Sequence, residues 1–270
     1  MEIEKRKSLN IIINSIAFYL LSYLIVFMIF QFTTIIASNI FDIPNTLYYN
    51  RIGFNVIPEA WTFDSVKVIY TSGNIILFML SVSFLVIIIK ALEFNGLLRL
   101  FFLWGFIHSI SMLFGSIIIG AFNFEGFGIV LSYWYLADTA KMLLLFSGLL
   151  ILLGIGMAMV KIFLFSANSY FNFLSPKMRP AFRRDQFMIP FVISTLFLLA
   201  VKYPLSLYET LLLFMPLFVL LPLYWGIGRY PVFYFEEAEK SIQISFRLVL
   251  VTAAAYIIYR VVLGFGINIG

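Results

Sequence analysis

The side chains with the greatest chemical capacity in this sequence share one apolar stretch: His108, Ser109, Ser111 and Ser116, all within Leu97 to Phe122. An imidazole can relay a proton or bind a polar ligand, and a hydroxyl beside it can serve as a nucleophile if the imidazole takes its proton. At about 100° per residue, Gly105, His108, Ser109, Met112, Gly115, Ser116 and Gly120 fall within an arc of about 140°. The stretch therefore carries a Gly/Ser/His face, which is the candidate intramembrane polar site of the chain. A face of this kind has to meet protein, because small residues let backbones approach and polar groups in hydrocarbon need partners.

Catalysis on that face lacks its other components. All 13 acids lie in loops or at segment ends, so no carboxylate stands at the depth of His108 to drive a proton relay. His108-Ser-Ile-Ser-Met112 is not a His-Glu-x-x-His zinc motif, and one His with no Cys cannot build a His- or Cys-ligated metal site. A neutral His tied to a Ser or a carbonyl of a neighbouring helix accounts for His108 without chemistry. Glu125 lies in Asn-Phe-Glu-Gly-Phe-Gly, which reads as a tight turn and lacks the Lys-Ser/Thr pair of a phosphate loop. These absences predict a protein that is not an enzyme and that has no catalytic, cofactor-binding or metal-binding residues.

The elements that position these residues are set by composition. Of 270 residues, 63% are hydrophobic and 11% charged, with a mean hydropathy of +1.03. A water-exposed domain carries roughly a quarter charged residues, so this composition predicts an integral membrane protein. Crossing a bilayer core takes about 20 apolar residues. Seven windows of that kind occur, at Ile11 to Ile36, Gly73 to Leu92, Leu97 to Phe122, Lys141 to Phe165, Phe187 to Val201, Leu211 to Ile227 and Phe246 to Phe265. The fifth is the shortest, so six spans is the alternative count. The expected fold is an all-α polytopic transmembrane bundle forming one domain over residues 1–270.

Orientation follows from the cations. With the N-terminus inside, 13 of the 18 Lys and Arg fall on the cytoplasmic side; only Arg51, Lys67, Lys141, Lys202 and Arg260 fall opposite. That bias is what the positive-inside rule requires of short loops, and it predicts a cytoplasmic N-terminus; the richness in Ile, Phe, Asn and Lys, as an AT-rich bacterial genome gives, makes a bacterial inner membrane the expected location. The same scatter of cations between apolar runs gives no continuous phosphate-binding patch, so nucleic acid is not an expected partner.

Loops and helix faces complete the reading. Lys177, Arg179, Arg183 and Arg184 form a juxtamembrane group able to dock anionic lipid, although topology alone also requires them. Residues Glu236 to Lys240 read as a short interfacial helix. Asp138 reads as an N-cap with Lys141 as its partner, and Ser206-x-x-Glu209 as a capping box. The connection from Ser38 to Ser72 is long enough for a cap, lid or partner surface, or lies in the headgroups with Tyr48, Tyr49 and Trp61 dipping in. Gly154 and Ala158, with Ser147 and Lys161, line one side of the fourth segment and are expected to pack on Gly105, Gly115 and Gly120 of the third. These features together predict a non-enzymatic subunit or scaffold of a membrane complex, with the bilayer and other membrane subunits as partners. The alternative is a small transporter or channel whose path runs along the third helix.

Overall fold

The computed structural model describes residues 2–90, 96–171, 173–229, 233–234 and 243–269. The chain is mostly helical, and among the described residues seven helices are long and apolar enough to cross a membrane: Lys7–Ile40, Phe63–Lys90, Leu97–Gly120, Asp138–Ala158, Arg179–Val201, Leu207–Ile227 and Phe246–Gly264. Each sequence window overlaps one of them, but the fourth, drawn to Phe165, runs past the end of its helix at Ala158 into a separate short helix, Val160–Phe165. The second begins ten residues earlier than its window, at Phe63, because Thr62 and Ser65 hydroxyls cap the polar turn that hydropathy leaves out. The segment expected as an interfacial helix at Glu236 to Lys240 lies outside the described residues.

In chain order the elements are α1 (Glu2–Ile40), β1 (Asn45–Leu47), β2 (Ile52–Phe54), α2 (Phe63–Lys90), α3 (Gly96–Gly120), α4 (Phe127–Tyr133), α5 (Asp138–Ala158) and α6 (Val160–Phe165). They continue with β3 (Phe173–Leu174), α7 (Arg179–Arg183), α8 (Ile189–Val201), α9 (Leu207–Phe214), α10 (Pro216–Ile227), β4 (Phe233–Tyr234), α11 (Phe246–Gly264) and β5 (Ile267–Ile269). Prolines set the breaks. Pro190 and Pro216 stand in the first turns of α8 and α10, where the missing N–H goes unused. The chain before α8 passes through a π-wound turn, Arg184–Met188.

The axis of the bundle is α3. It packs on α1, α2, α4, α5, α9 and α10 and is buried nearly all round, whereas α5 and α11 leave most of their apolar surface outward. Its small residues therefore serve several partners: a Cβ at Gly105 would strike the Phe84 ring of α2, at Gly115 Met215 and Leu212, and at Gly120 the backbone of Gly128. The expected partner face on α5 is corrected. Ser147, Gly154, Ala158 and Lys161 face outward, and nothing lies within 4 Å of a Cβ built at Gly154. It is Gly148 that meets α3, at Ile118, and Gly156 that meets α10, at Val219 O.

The two ends of the bundle differ. At the end holding the start of α1, arginines satisfy helix C-terminal carbonyls: Arg99 Nη1 donates to Phe165 O at 3.2 Å, Arg179 Nη1 to Ile227 O at 3.4 Å and Arg183 Nη1 to Tyr224 O at 3.0 Å. Arg184 Nε donates to the buried Asp185 at 2.6 Å. Three of the four cations read as a lipid dock thus have protein partners, and only Lys177 stands exposed outside this set. At the opposite end β1 pairs antiparallel with β2 on one edge and β5 on the other, joining residues 45–54 to the C-terminal strand. The long connection is therefore a small sheet over the bundle, with Trp61 packed edge-on against Phe54 at 5.3 Å.

Candidate functional site

The hydroxyls and imidazole of α3 do not converge. His108 is 1% exposed, and its Nε2 lies 3.1 Å from Tyr19 O on α1. A carbonyl oxygen only accepts, so Nε2 carries the proton. The ring stands edge-on to Tyr19 at 4.4 Å and stacks over Trp104 at 6.1 Å. Ser109 Oγ turns back to Gly105 O at 2.8 Å, Ser116 Oγ lies 2.8 Å from Asn74 Oδ1, and Ser111 Oγ has no hydrogen-bond partner among the described residues. His108 thus ties α1 to α3, and the polar face divides among separate neighbours.

Removing that tie tests its role. His108→Ala leaves a void among Tyr19, Tyr23 and Trp104 and removes the side-chain tie from α3 to Tyr19 O, which keeps Ser22 Oγ at 3.1 Å, a loss of about 2–4 kcal/mol by analogy with other large-to-small core changes. Thermal unfolding in detergent is expected to show it as a Tm drop of several degrees, with any ligand binding by the folded variant unchanged.

The polar groups that do converge lie nearer the sheet. A cavity of about 830 Å³ opens between α1, α2, α3, the 48–54 strand turn, the Glu125-Gly126 turn and the start of α9. Its walls hold Gln31, Asn74, Met112, Lys202, Tyr208 and Glu209, with Arg51 and Glu125 at exposed positions. Local chemistry fixes each wall. Ser206 Oγ accepts from Glu209 N at 3.2 Å while Glu209 Oε2 accepts from Ser206 N at 2.9 Å, the capping box that starts α9. Gly126 has φ +56°, and a Cβ there would strike the Tyr208 ring, so only glycine lets this turn close on the cavity. Asn50 Nδ2 donates to Pro204 O at 2.7 Å and Tyr49 Oη to Tyr203 O at 2.9 Å, fastening the sheet to the loop after α8. Tyr259 Oη of α11 donates to Tyr49 O, and the Arg260 guanidinium lies 3.5 Å from the Tyr49 ring centre. The capping role expected of Asp138 is corrected, since Ala137 is the N-cap of α5, while its expected pairing with Lys141 is present at 3.5 Å on the surface.

No family model, curated protein or solved structure matches the chain. Lys202 is 2% exposed, its Nζ donating to Tyr23 Oη at 3.0 Å and lying 3.5 Å from the Phe27 ring centre. Burial pushes its pKa down from 10.5 to about 7, with the Glu209 charge opposing part of the fall. Asn74 is 6% exposed, and its Nδ2 has no hydrogen-bond partner among the described residues. Neither residue stood out by spacing. The available signal was an amide inside an apolar run: Gln31 and Asn74 each sit in a segment otherwise bound for lipid or core, where an unpaired amide is costly.

Proposed function

We propose that this chain is a multi-pass protein of a bacterial cytoplasmic membrane, N-terminus inside, that takes a small polar solute into the cavity from the external side, as a transporter or solute-binding membrane protein. The observation that carries this reading is the cavity itself: polar groups withdrawn from water yet short of partners, at the end of the bundle with few cations. The orientation rests on the cation bias, and the membrane assignment on seven apolar helices and the apolar outward faces of α5 and α11. The proline-broken α9–α10 pair beside the cavity has the form that lines solute sites in membrane transporters.

The naturally Cys-free chain gives a direct test. Single cysteines at Gln31, Asn74 and Met112 are expected to react with a membrane-impermeant thiol reagent added to intact cells, while cysteines at Ser109 and Ser111 stay protected. Uniform protection, or labelling only after the cytoplasmic side is exposed, overturns the reading. The alternative of a complex subunit is supported by Gly154 and Ala158, a four-residue step of small side chains left open on the outer surface of α5. Native co-purification with quantitative mass spectrometry separates the two, since a protein that emerges alone is no subunit.

A further inference from the structure

The donors of the cavity define the chemistry of what enters it; the inference rests on the solute-binding reading above. An ammonium has three donors, and among the described residues Lys202 Nζ finds one acceptor, Tyr23 Oη at 3.0 Å, and two aromatic faces, Phe27 at 3.5 Å and Tyr23 at 5.5 Å. The ion pairs among described residues are Lys67–Asp64, Lys141–Asp138 and Arg184–Asp185, so no carboxylate lies within ion-pair distance of Lys202. Glu209, whose charge Lys202 senses, spends Oε2 on its own cap at Ser206 N. Asn74 adds a second buried donor, Nδ2, with no partner among the described residues; its Oδ1 lies 2.8 Å from Ser116 Oγ, whose single proton is shared between that oxygen and Leu113 O at 2.8 Å. A buried cation and a buried N–H lining one cavity lack the same thing, an anionic acceptor.

The size and charge of that acceptor follow. Phosphate sites use a guanidinium fork or several backbone N–H groups; here the one guanidinium on the wall, Arg51, is exposed, and the buried donors that lack an anionic acceptor are the Lys202 ammonium and the Asn74 amide, which match a single negative charge on two oxygens. Five aromatic rings, Tyr23, Phe27, Phe30, Tyr70 and Tyr208, stand on the same wall beside polar groups such as Gln31 and Thr34, and about 830 Å³ admits a body the size of a drug-like ligand. We propose that the cavity binds a small monocarboxylate with an apolar or aromatic body, its oxygens held by Lys202 Nζ and Asn74 Nδ2.

Protonation supports the geometry. The groups that face Lys202 are Tyr23 on α1 and Glu209 on α9, with Arg51 and Glu125 at exposed positions on the cavity wall. With Lys202 near its midpoint at about 7, raising the pH discharges the ammonium. Carboxylic acids titrate near pH 4, so the ligand stays ionised over that range. Binding is therefore expected to weaken between pH 6 and 9 with no change in the ligand.

The experiment is equilibrium binding of radiolabelled benzoate to the purified full-length protein, with benzamide, octanoate and inorganic phosphate as competitors. Benzoate is expected to bind saturably and to be displaced by octanoate. Benzamide, the neutral isostere, and phosphate are expected to compete at least tenfold more weakly. Lys202→Gln is expected to lose at least tenfold in affinity, Lys202→Arg to retain part of it, and Asn74→Leu to lose about fivefold, each variant checked for a monodisperse fold. The pH profile of the unaltered protein reports on Lys202 even where a variant fails to fold. Equal competition by benzamide, displacement by phosphate at benzoate's concentration, a flat pH profile, or no saturable binding of either carboxylate overturns the proposal. Thiol labelling of the cavity cysteines together with any of those results leaves the solute-binding reading standing and removes only the carboxylate; protected cysteines and no binding remove both.

Discussion

Valine at position 156 is expected to abolish the folded monomer, while valine at position 154, two residues away on the same helix, is expected to leave it intact. A Cβ on residue 156 would stand 2.3 Å from Val219 O and 2.6 Å from Pro222 Cγ. Neither is the free end of a flexible side chain: one is backbone and the other a ring inside α10. Relief therefore requires α5 and α10 to move apart, and overpacking a well-filled contact costs about 1–3 kcal/mol even where side chains can shift. Nothing lies within 4 Å of a Cβ on residue 154. Detergent-solubilised yield of monodisperse protein and its Tm measure the difference: loss of the monomer peak, or a Tm lower by 10 °C or more, for Gly156→Val, against a change within about 2 °C for Gly154→Val. Similar behaviour of the two variants would show that α5 and α10 do not meet as described. A loss confined to Gly154→Val would place the protein contact on the outward face and favour a partner subunit there.

This pair of glycines also marks where sequence reasoning stops. Apolar windows locate the seven helices because length and hydropathy are properties of each segment alone. Which face of α5 meets protein is a relation between segments, and lipid tails are as apolar as a leucine-lined neighbour, so the pattern that orients an amphipathic helix in water is missing. Gly154 and Ala158 had the right spacing and the wrong side, about 200° around the helix from Gly156. The polar face of α3 failed differently. Its arc was legible, but a helix buried all round has no single interface, and Gly105, His108, Gly115 and Ser116 each answer to a different neighbour. The cations divided in the same way. Counting them by side needs no tertiary information, whereas only the fold distinguishes Arg183 on Tyr224 O, a helix-end tie, from Lys202 beneath the sheet. What the sequence did carry toward the cavity was Gln31 and Asn74, amides in apolar runs, together with the Ser206–Glu209 cap and the Glu125-Gly126 turn that form its rim.

Replacing Lys202 by methionine is expected to make the protein more stable while removing the carboxylate site. The sign follows from the two protonation states. Lys202 has a folded pKa of about 7 and an ordinary value of 10.5, so between those values the unfolded chain holds the proton more tightly, and stability rises with pH at up to about 1.4 kcal/mol per unit. Below pH 7 the full penalty of burying the cation is present; above 10.5 it is gone. Methionine has a similar length and no charge, so its advantage is largest at pH 6 and shrinks toward pH 10. The ceiling is about 5 kcal/mol, reduced by the lost bond to Tyr23 and the lost contact with the Phe27 ring. A Tm gain of several degrees at pH 6 that fades by pH 10 is the expected result; a less stable methionine variant with no pH trend would mean that Lys202 is held by compensating charge. Benzoate supplies the second arm. A ligand that binds only the folded state raises Tm by mass action, so at pH 6 saturating benzoate is expected to stabilise the natural protein and leave the methionine variant unmoved, closing the gap between them. A buried cation that costs stability when the cavity is empty and recovers it when an anion arrives is kept for binding rather than for folding.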